Sequence, residues 1–417
     1  MAEQSAITPN PVDISKYRDD FPVLSTKMNG KPLAFLDSGA SAQKPTVVIA
    51  AMDAVLNKGY SNIHRGLYSI SQKLTEDFEA VRVRVSRFIN APSEKNIVFT
   101  RNTTDAINLV AQSWGKAHLT ASDEIILSEM EHHANIVPWQ LLQQEIGFTI
   151  RTIPFDERGV LDMQAFERAL NQHTKFVGVV HTSNALGTIN PVKKIVEIAK
   201  DFYPDIKVLV DGSQSVVHGV VDVADIGCDF FTFTGHKIYG PTGIGVLYGR
   251  EEVLASMPPY QGGGDMIERV SFNATSFKEP PYRFEAGTPP IVEVIGLGVA
   301  IDYVSAIGMA NIAAHEAGLL TYATQKLQDI DGLKIHGTAP DKAGILSFTM
   351  DGAHPSDIGM ILDQCGVAVR SGHHCCMPLM ERLGLDATAR ASLGLYSNKA
   401  DIDQLIEGLK KVGDMFS

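Results

Sequence analysis

Phe176-Val177-Gly178-Val179-Val180, then Val192 to Phe202, then Lys207-Val208-Leu209-Val210 closing on Asp211, reads as strand, helix, strand. The two outer runs are continuously apolar rather than alternating, which marks strands covered on both faces. The run between them is amphipathic, as a helix lying on a sheet must be. Such a unit carries the chain back across the sheet, so its two strands run parallel.

The alternation extends both ways. Upstream, Asn96 to Thr100 reads as a strand, and Thr103 to Trp114 as a helix capped by Asn102 or Thr103. Strands at Glu124 to Leu127 and Thr149 to Ile153 alternate with helices at Val137 to Glu145 and Met163 to Leu170. Downstream, Phe230 to Phe233 and Gly245 to Tyr248 are strands. The expected fold class is α/β, a mostly parallel sheet covered by helices. Ligands of such sheets sit at the carboxyl ends of the strands. Thr103-Thr104, His132, Asn184, Asp211 and Lys237 all follow strands, so a shared site is expected there.

From Met257 to Pro290 the chain is rich in glycine and proline, including Gly262-Gly263-Gly264, and reads as an excursion and domain junction. A long helix to about Ile307, a second over Ala310 to Asp329, and short strands alternating with helices follow. The division predicted is an N-terminal segment (1–28) packing with the small domain, a large domain (29–290) and a small α+β domain (291–417). No internal repeat or low-complexity tract interrupts it.

Bulk properties narrow the function. The 417 residues are 44% hydrophobic and 20% charged, with a mean hydropathy of +0.01. A formal net charge of −12 argues against nucleic acid or an anionic membrane surface as partner. The apolar stretch Ile291 to Ile307 is interrupted by Glu293 and Asp302, which reads as a buried helix rather than a membrane span. The first residues carry Asp13, Asp19 and Asp20 without an apolar core, unlike a secretion signal or an Arg-rich transit peptide. Cysteines at 228, 365, 375 and 376 make no disulfide framework, so reduced thiols in the cytoplasm are expected. No paired CxxC or HxxxH spacing appears, and neighbours such as His132-His133 and His373-His374 tend to point apart, so no metal is expected.

Two segments carry the chemistry. In Arg370-Ser371-Gly372-His373-His374-Cys375-Cys376-Met377-Pro378, a thiol beside imidazoles is either a nucleophile held partly as thiolate or a small buried residue ending a strand. In Thr234-Gly235-His236-Lys237-Ile238-Tyr239-Gly240, a lysine follows an apolar strand between glycines. It is either a solvated turn residue or an amine placed to bond a planar carbonyl cofactor. Asp211 at the end of another strand suits a protonated pyridine nitrogen. Thr103-Thr104 suits a phosphate at a helix start, or ordinary capping. His132 is either a ring stacked on the cofactor or a structural histidine.

The joint order of these residues resembles the cysteine desulfurases of fold-type I pyridoxal 5′-phosphate enzymes, specifically the SufS-like group with selenocysteine lyase activity in the class V aminotransferase superfamily. The resemblance runs through Phe35 to Pro45, Asn62 to Gly66, Arg101 to Asn108, Met130 to Asn135, Ser183 to Gly187, Asp211 to Gln214, Gly235 to Lys237, Arg283 to Pro289, Arg370 to Pro378 and Thr388 to Ser392. It implies a cofactor bonded to Lys237, with Asp211 on the ring nitrogen, Gln214 on the ring oxygen and His132 stacked above. It implies a phosphate held by Thr104, Thr234 and His236, with Thr288 reaching in from a partner subunit of a homodimer. Asn184 and Arg390 would hold the substrate carboxylate. Cys375 would take the sulfur of L-cysteine as a persulfide, leaving L-alanine, with Lys237 moving the Cα proton and His132 the thiol proton. A SufE-like or SufU-like protein would accept the sulfur for iron–sulfur cluster assembly.

Two positions depart from the family pattern: Thr234 where serine is common, and Cys376 where alanine is common. The competing readings are a selenocysteine lyase, another aminotransferase or lyase of this fold, and a non-catalytic scaffold. A nucleotide site at Gly240 to Gly245 lacks the GxxxxGK[ST] or GxGxxG pattern it needs.

Overall fold

Among the residues described by the computed structural model, residues 13–416, seven strands form the central sheet. They are β1 (Ile97–Thr100), β2 (Glu124–Ser128), β3 (Thr149–Ile153), β4 (Thr174–Val180), β5 (Lys207–Asp211), β6 (Phe230–Thr234) and β7 (Gly245–Gly249). Their order is β1-β7-β6-β5-β4-β2-β3. Pairings among β2 to β6 are parallel, and β7 alone opposes its neighbours β1 and β6. Every residue of β1, β6 and β7 is buried, matching their unbroken apolar sequences. The edge strand β3 is mostly exposed, and its Thr and Arg residues face water.

The expected helix Thr103 to Trp114 changes its winding midway. Thr103–Leu109 is α-helical and Val110–Gly115 is a π-helical segment. Local propensity does not distinguish the two windings. Within the wider turn, Trp114 lies on Phe176 of β4 with ring centroids 5.3 Å apart.

The junction differs from the division at residue 290. The helix Ile291–Ile307 packs on the helices Thr46–Lys58 and Ser69–Phe88 of the large domain. Its Val294, Leu297, Ile301 and Val304 share a core with Val81 and Val85. It is apolar on nearly every side, so it is buried where the apolar surface is greatest. The crossing comes at Gly308, with φ +91°, where the next helix, Met309–Gln328, turns away by 73°. Leu319, Ala323 and Leu327 of that helix join a separate core over the small sheet. This sheet is antiparallel, with β8 (Leu333–His336), β9 (Ile345–Met350), β10 (Arg370–Gly372) and β11 (Thr388–Ser392) in the order β8-β9-β11-β10. No single helix among the described residues is long and apolar enough to cross a membrane.

Residues 1–12 of the N-terminal segment lie outside the described residues. From Asp13 onward the segment touches both domains. Arg18 donates to Asp401 Oδ2 at 2.8 Å and to Tyr396 O at 2.7 Å. Phe21 packs edge-on against Tyr239, Tyr303 and Tyr396. Beyond residue 28, Ala34–Phe35 pairs in parallel with Val367–Ala368, and Ala34 and Leu36 enter the small-domain core.

One buried ion pair ties the junction loop to the large domain. Arg82, 1% exposed, donates to Glu285 Oε1 at 2.6 Å, to Glu79 Oε2 at 2.9 Å and to Ile97 O at 3.0 Å. Replacing it with alanine leaves Glu285, 8% exposed, without its charge partner and with only the Phe99 N–H as donor among the described residues. Arg82→Ala is expected to lower stability by about 3–5 kcal/mol in urea unfolding. A loss below about 1 kcal/mol would place the pair in effectively aqueous surroundings.

Candidate active site

Five loops leave the carboxyl ends of β1, β2, β4, β5 and β6 and enclose one cavity of about 290 Å³. β1 contributes Asn102, Thr103 and Thr104, and β2 contributes His132. β4 contributes Thr182 and Asn184, β5 Asp211, Ser213 and Gln214, and β6 Thr234, His236 and Lys237. The small domain closes it with Arg370, His374, Cys375 and Arg390. Ten of the eleven residues singled out from the sequence therefore line one space. Thr288 does not; it is exposed, outside the cavity.

Two glycines let these loops approach. A Cβ on Gly212 would fall 1.9 Å from the Phe231 ring, so Asp211 and Ser213 reach the cavity only across a residue with no side chain. A Cβ on Gly235 would lie 2.7 Å from Ile244 Cγ2, where the chain turns from β6 to Lys237.

Asp211 is buried, and its Oδ1 accepts Ser213 N–H at 2.9 Å. Burial lowers the pKa of Lys237; the Asp211 charge opposes that shift and Arg390 adds to it. Burial, then Lys237, pulls His132 down to about 4, so its ring is neutral near pH 7. His132 Nδ1 accepts Ala134 N–H at 3.0 Å, which assigns the remaining proton to Nε2. His236 is likewise held at about 4 by burial and by Lys237. Gln214 Nε2 spends one N–H on Gly39 O at 2.8 Å and keeps a second.

The arginines set the opposite wall. Arg370 and Arg390 face each other across β10 and β11. Arg390 is 2% exposed, donates to Asp37 Oδ1 at 3.0 Å and to Asn184 O at 2.8 Å, and keeps a buried Nε with no partner among the described residues. Such an orphaned donor beside a second guanidinium fits a small anion. Asn184 lines the same cavity and also grips the cysteine loop. Its Nδ2 donates to His374 O at 2.7 Å and its Oδ1 accepts from Cys376 Sγ at 3.2 Å. The amide spends its oxygen and one N–H on the cysteine loop and keeps a second N–H, and Asn184 lines the cavity beside the two arginines.

The two cysteines are unlike. Cys375 is half-buried and lines the cavity. Cys376 is fully buried, and burial pushes its thiol up to about 12. His374 and Cys375 hold φ of +53° and +57°, a left-handed pair that non-glycine residues adopt only when the surroundings impose it. The surroundings include His133, whose N–H donates to Cys375 O at 2.8 Å and whose Nε2 accepts Met377 N–H at 3.0 Å.

Arg370, His374, Ser213 and the Gly39-Ala40 turn also line the cavity. Sequence reasoning did not single them out as site residues. Arg370 lay within the cysteine segment, but its place beside Arg390 depends on strand register.

A family model described as aminotransferase class-V matches residues 34–405. The chain belongs to that family, and the fold is of its kind. A cysteine desulfurase of Serratia proteamaculans is 47% identical over 400 residues, covering 96% of this chain and 98% of that protein. One of Dickeya dadantii is 48% identical over 400 residues, 96% of each chain. The crystal structure of the cysteine desulfurase CsdA of Escherichia coli superposes with a TM-score of 0.91 at 34% identity, covering 98% of this chain and 100% of that one. The protein is a cysteine desulfurase.

Proposed function

We propose that this cavity converts L-cysteine to L-alanine and leaves the sulfur on Cys375 as a persulfide. The observation that carries the reading is the convergence of Lys237, from the large domain, and Cys375, from the small one, on a single space. Pyridoxal 5′-phosphate is the cofactor, and the donor set fits it. Lys237 provides the amine, Asp211 a buried carboxylate for the ring nitrogen, and Gln214 a spare N–H for the ring oxygen. His132 provides a neutral ring to lie over it, and Thr104, Thr234 and His236 provide the phosphate cradle. Bound there, the cofactor supplies a sink for the electron pair left when the substrate Cα loses its proton.

The chain's own residues do the rest. Arg390 and Arg370 hold the substrate carboxylate, and the orphaned Arg390 Nε gives it a ready donor. Lys237, its ammonium destabilised by burial, takes the Cα proton as a free amine. His132 Nε2 sits as an N–H for proton relay at the substrate sulfur. The Cys375 thiolate attacks that sulfur, the Cβ–S bond breaks, and protonation of the carbon fragment completes alanine. Asn184 holds the cysteine loop with its oxygen and one N–H, and its second N–H joins the arginines at the substrate carboxylate.

Arg390→Lys keeps the charge and loses the fork. It is expected to raise KM for cysteine about 10- to 100-fold with a smaller change in kcat, read from steady-state alanine production. An unchanged KM would remove Arg390 from substrate binding.

The sulfur acceptor is a SufE-like or SufU-like protein that collects sulfur for iron–sulfur cluster assembly, and the enzyme works as a homodimer in the cytoplasm. Thr288 supports the dimer, because it is exposed away from its own cavity and free to serve a partner's. The run of exposed apolar residues Leu67, Tyr68 and Ile70 supports it too. Four cysteines without a disulfide among the described residues suit a reducing compartment. Selenocysteine is the alternative substrate, since selenium leaves carbon more readily than sulfur. Comparing rates on the two amino acids, with and without an acceptor protein, tests this assignment. Acceptor stimulation confined to cysteine supports it, and turnover of selenocysteine alone overturns it.

A further inference from the structure

Cys376 is a buried thiol that the reaction above does not use. We propose that Cys376 is a positioning residue, whose S–H fixes the Asn184 amide and through it the left-handed turn that presents Cys375 to the cavity. The inference rests on Cys375 being the sulfur carrier.

The connections are direct. Cys376 Sγ donates to Asn184 Oδ1 at 3.2 Å, and Asn184 Nδ2 donates to His374 O at 2.7 Å. With both ends engaged, the amide has one orientation. Its backbone is held as well, because Arg390 donates to Asn184 O at 2.8 Å. The carbonyl that Asn184 grips belongs to the first of two consecutive left-handed residues, His374 at +53° and Cys375 at +57°. Two such residues in a row revert to ordinary backbone unless held. Fastening comes from His133 to Cys375 O, from His374 Nε2 to Thr388 Oγ1 at 2.8 Å, and from Asn184 to His374 O. His133 and Asn184 tie the turn to the domain that holds Lys237, through the loops after β2 and β4. Cys376 secures the Asn184 link.

The rival role is attack of the Cys376 thiolate on the sulfur of Cys375 in its persulfide. That step joins the two cysteines as a disulfide and releases hydrosulfide, with no other oxidant. It needs an ionised, mobile Cys376. The structure has the opposite, a fully buried thiol that spends its proton on Asn184.

The test compares Cys376→Ala and Cys376→Ser with the parent holoenzyme. Alanine removes the donor, and serine keeps one of similar size. Cys376→Ala is expected to lower kcat about three- to tenfold with KM for cysteine within about twofold, because a displaced nucleophile slows the sulfur-transfer step more than binding. Iodoacetamide should alkylate Cys375 faster in this variant as the turn loosens. Cys376→Ser should restore both readouts. Equal activity of the alanine variant and the parent overturns the proposal. So does a serine variant worse than the alanine one, which would mean Cys376 fills apolar space. If the alanine variant does not fold, near-parental activity of the serine variant still supports the proposal and its failure overturns it. Both results leave Cys375 as the carrier. Peptide mapping of the parent after cysteine treatment checks that separately. Sulfur on Cys376, or a Cys375–Cys376 disulfide with sulfide release, overturns the positioning role.

Discussion

Lys237→Ala is expected to lower turnover of cysteine at least about 10⁴-fold, the upper end for loss of a positioned proton carrier, and to remove the visible absorbance of the bound cofactor. In the proposed mechanism the lysine is the covalent anchor and the Cα base together, and no second lysine lines the cavity among the described residues. Folding should be little affected, because removing a buried ammonium relieves a desolvation penalty. Absorbance spectra and an alanine assay on the purified variant check both parts. A variant that kept absorbance and turnover would move the chemistry elsewhere.

Cys375→Ala is expected to lower alanine formation from cysteine by more than about 10²-fold, since the sulfur then has no nucleophile to receive it. Cleavage of selenocysteine should persist, because selenium departs without a thiol's attack. The same assay on Cys376→Ala should show only the modest loss given above. The contrast follows from placement. Cys375 Sγ belongs to a half-buried residue of the cavity wall, and Cys376 is buried behind it against Asn184. Normal desulfuration by Cys375→Ala, with its loss in Cys376→Ala, would exchange the two roles.

The large domain was legible in the sequence because its signals are local. Continuous apolar runs such as Phe230 to Phe233 fix covered strands, and the polar residue after each run falls at one edge of a parallel sheet. His132, Asp211 and Lys237 were found that way, Cys375 was marked by the histidines beside it, and Gln214 and Thr234 came only with the family resemblance. The rest depends on contacts between distant residues. The pair Asp37 and Arg390 and the register that sets Arg370 beside Arg390 leave no periodic trace. The crossing at Gly308 was hidden because an all-apolar helix such as Ile291–Ile307 reads as buried without saying in which core. The bonds from Asn184 to His374 and Cys376 join residues about 190 positions apart and leave no local trace in the sequence either.

The central claim is that sulfur moves from cysteine to Cys375. The holoenzyme incubated with L-cysteine and no acceptor, quenched by alkylation, and analysed for alanine and by peptide mass spectrometry tests it most directly. The account predicts alanine and one added sulfur on Cys375 in equal amounts. Alanine with the sulfur on Cys376, or a keto acid in place of alanine, would contradict it.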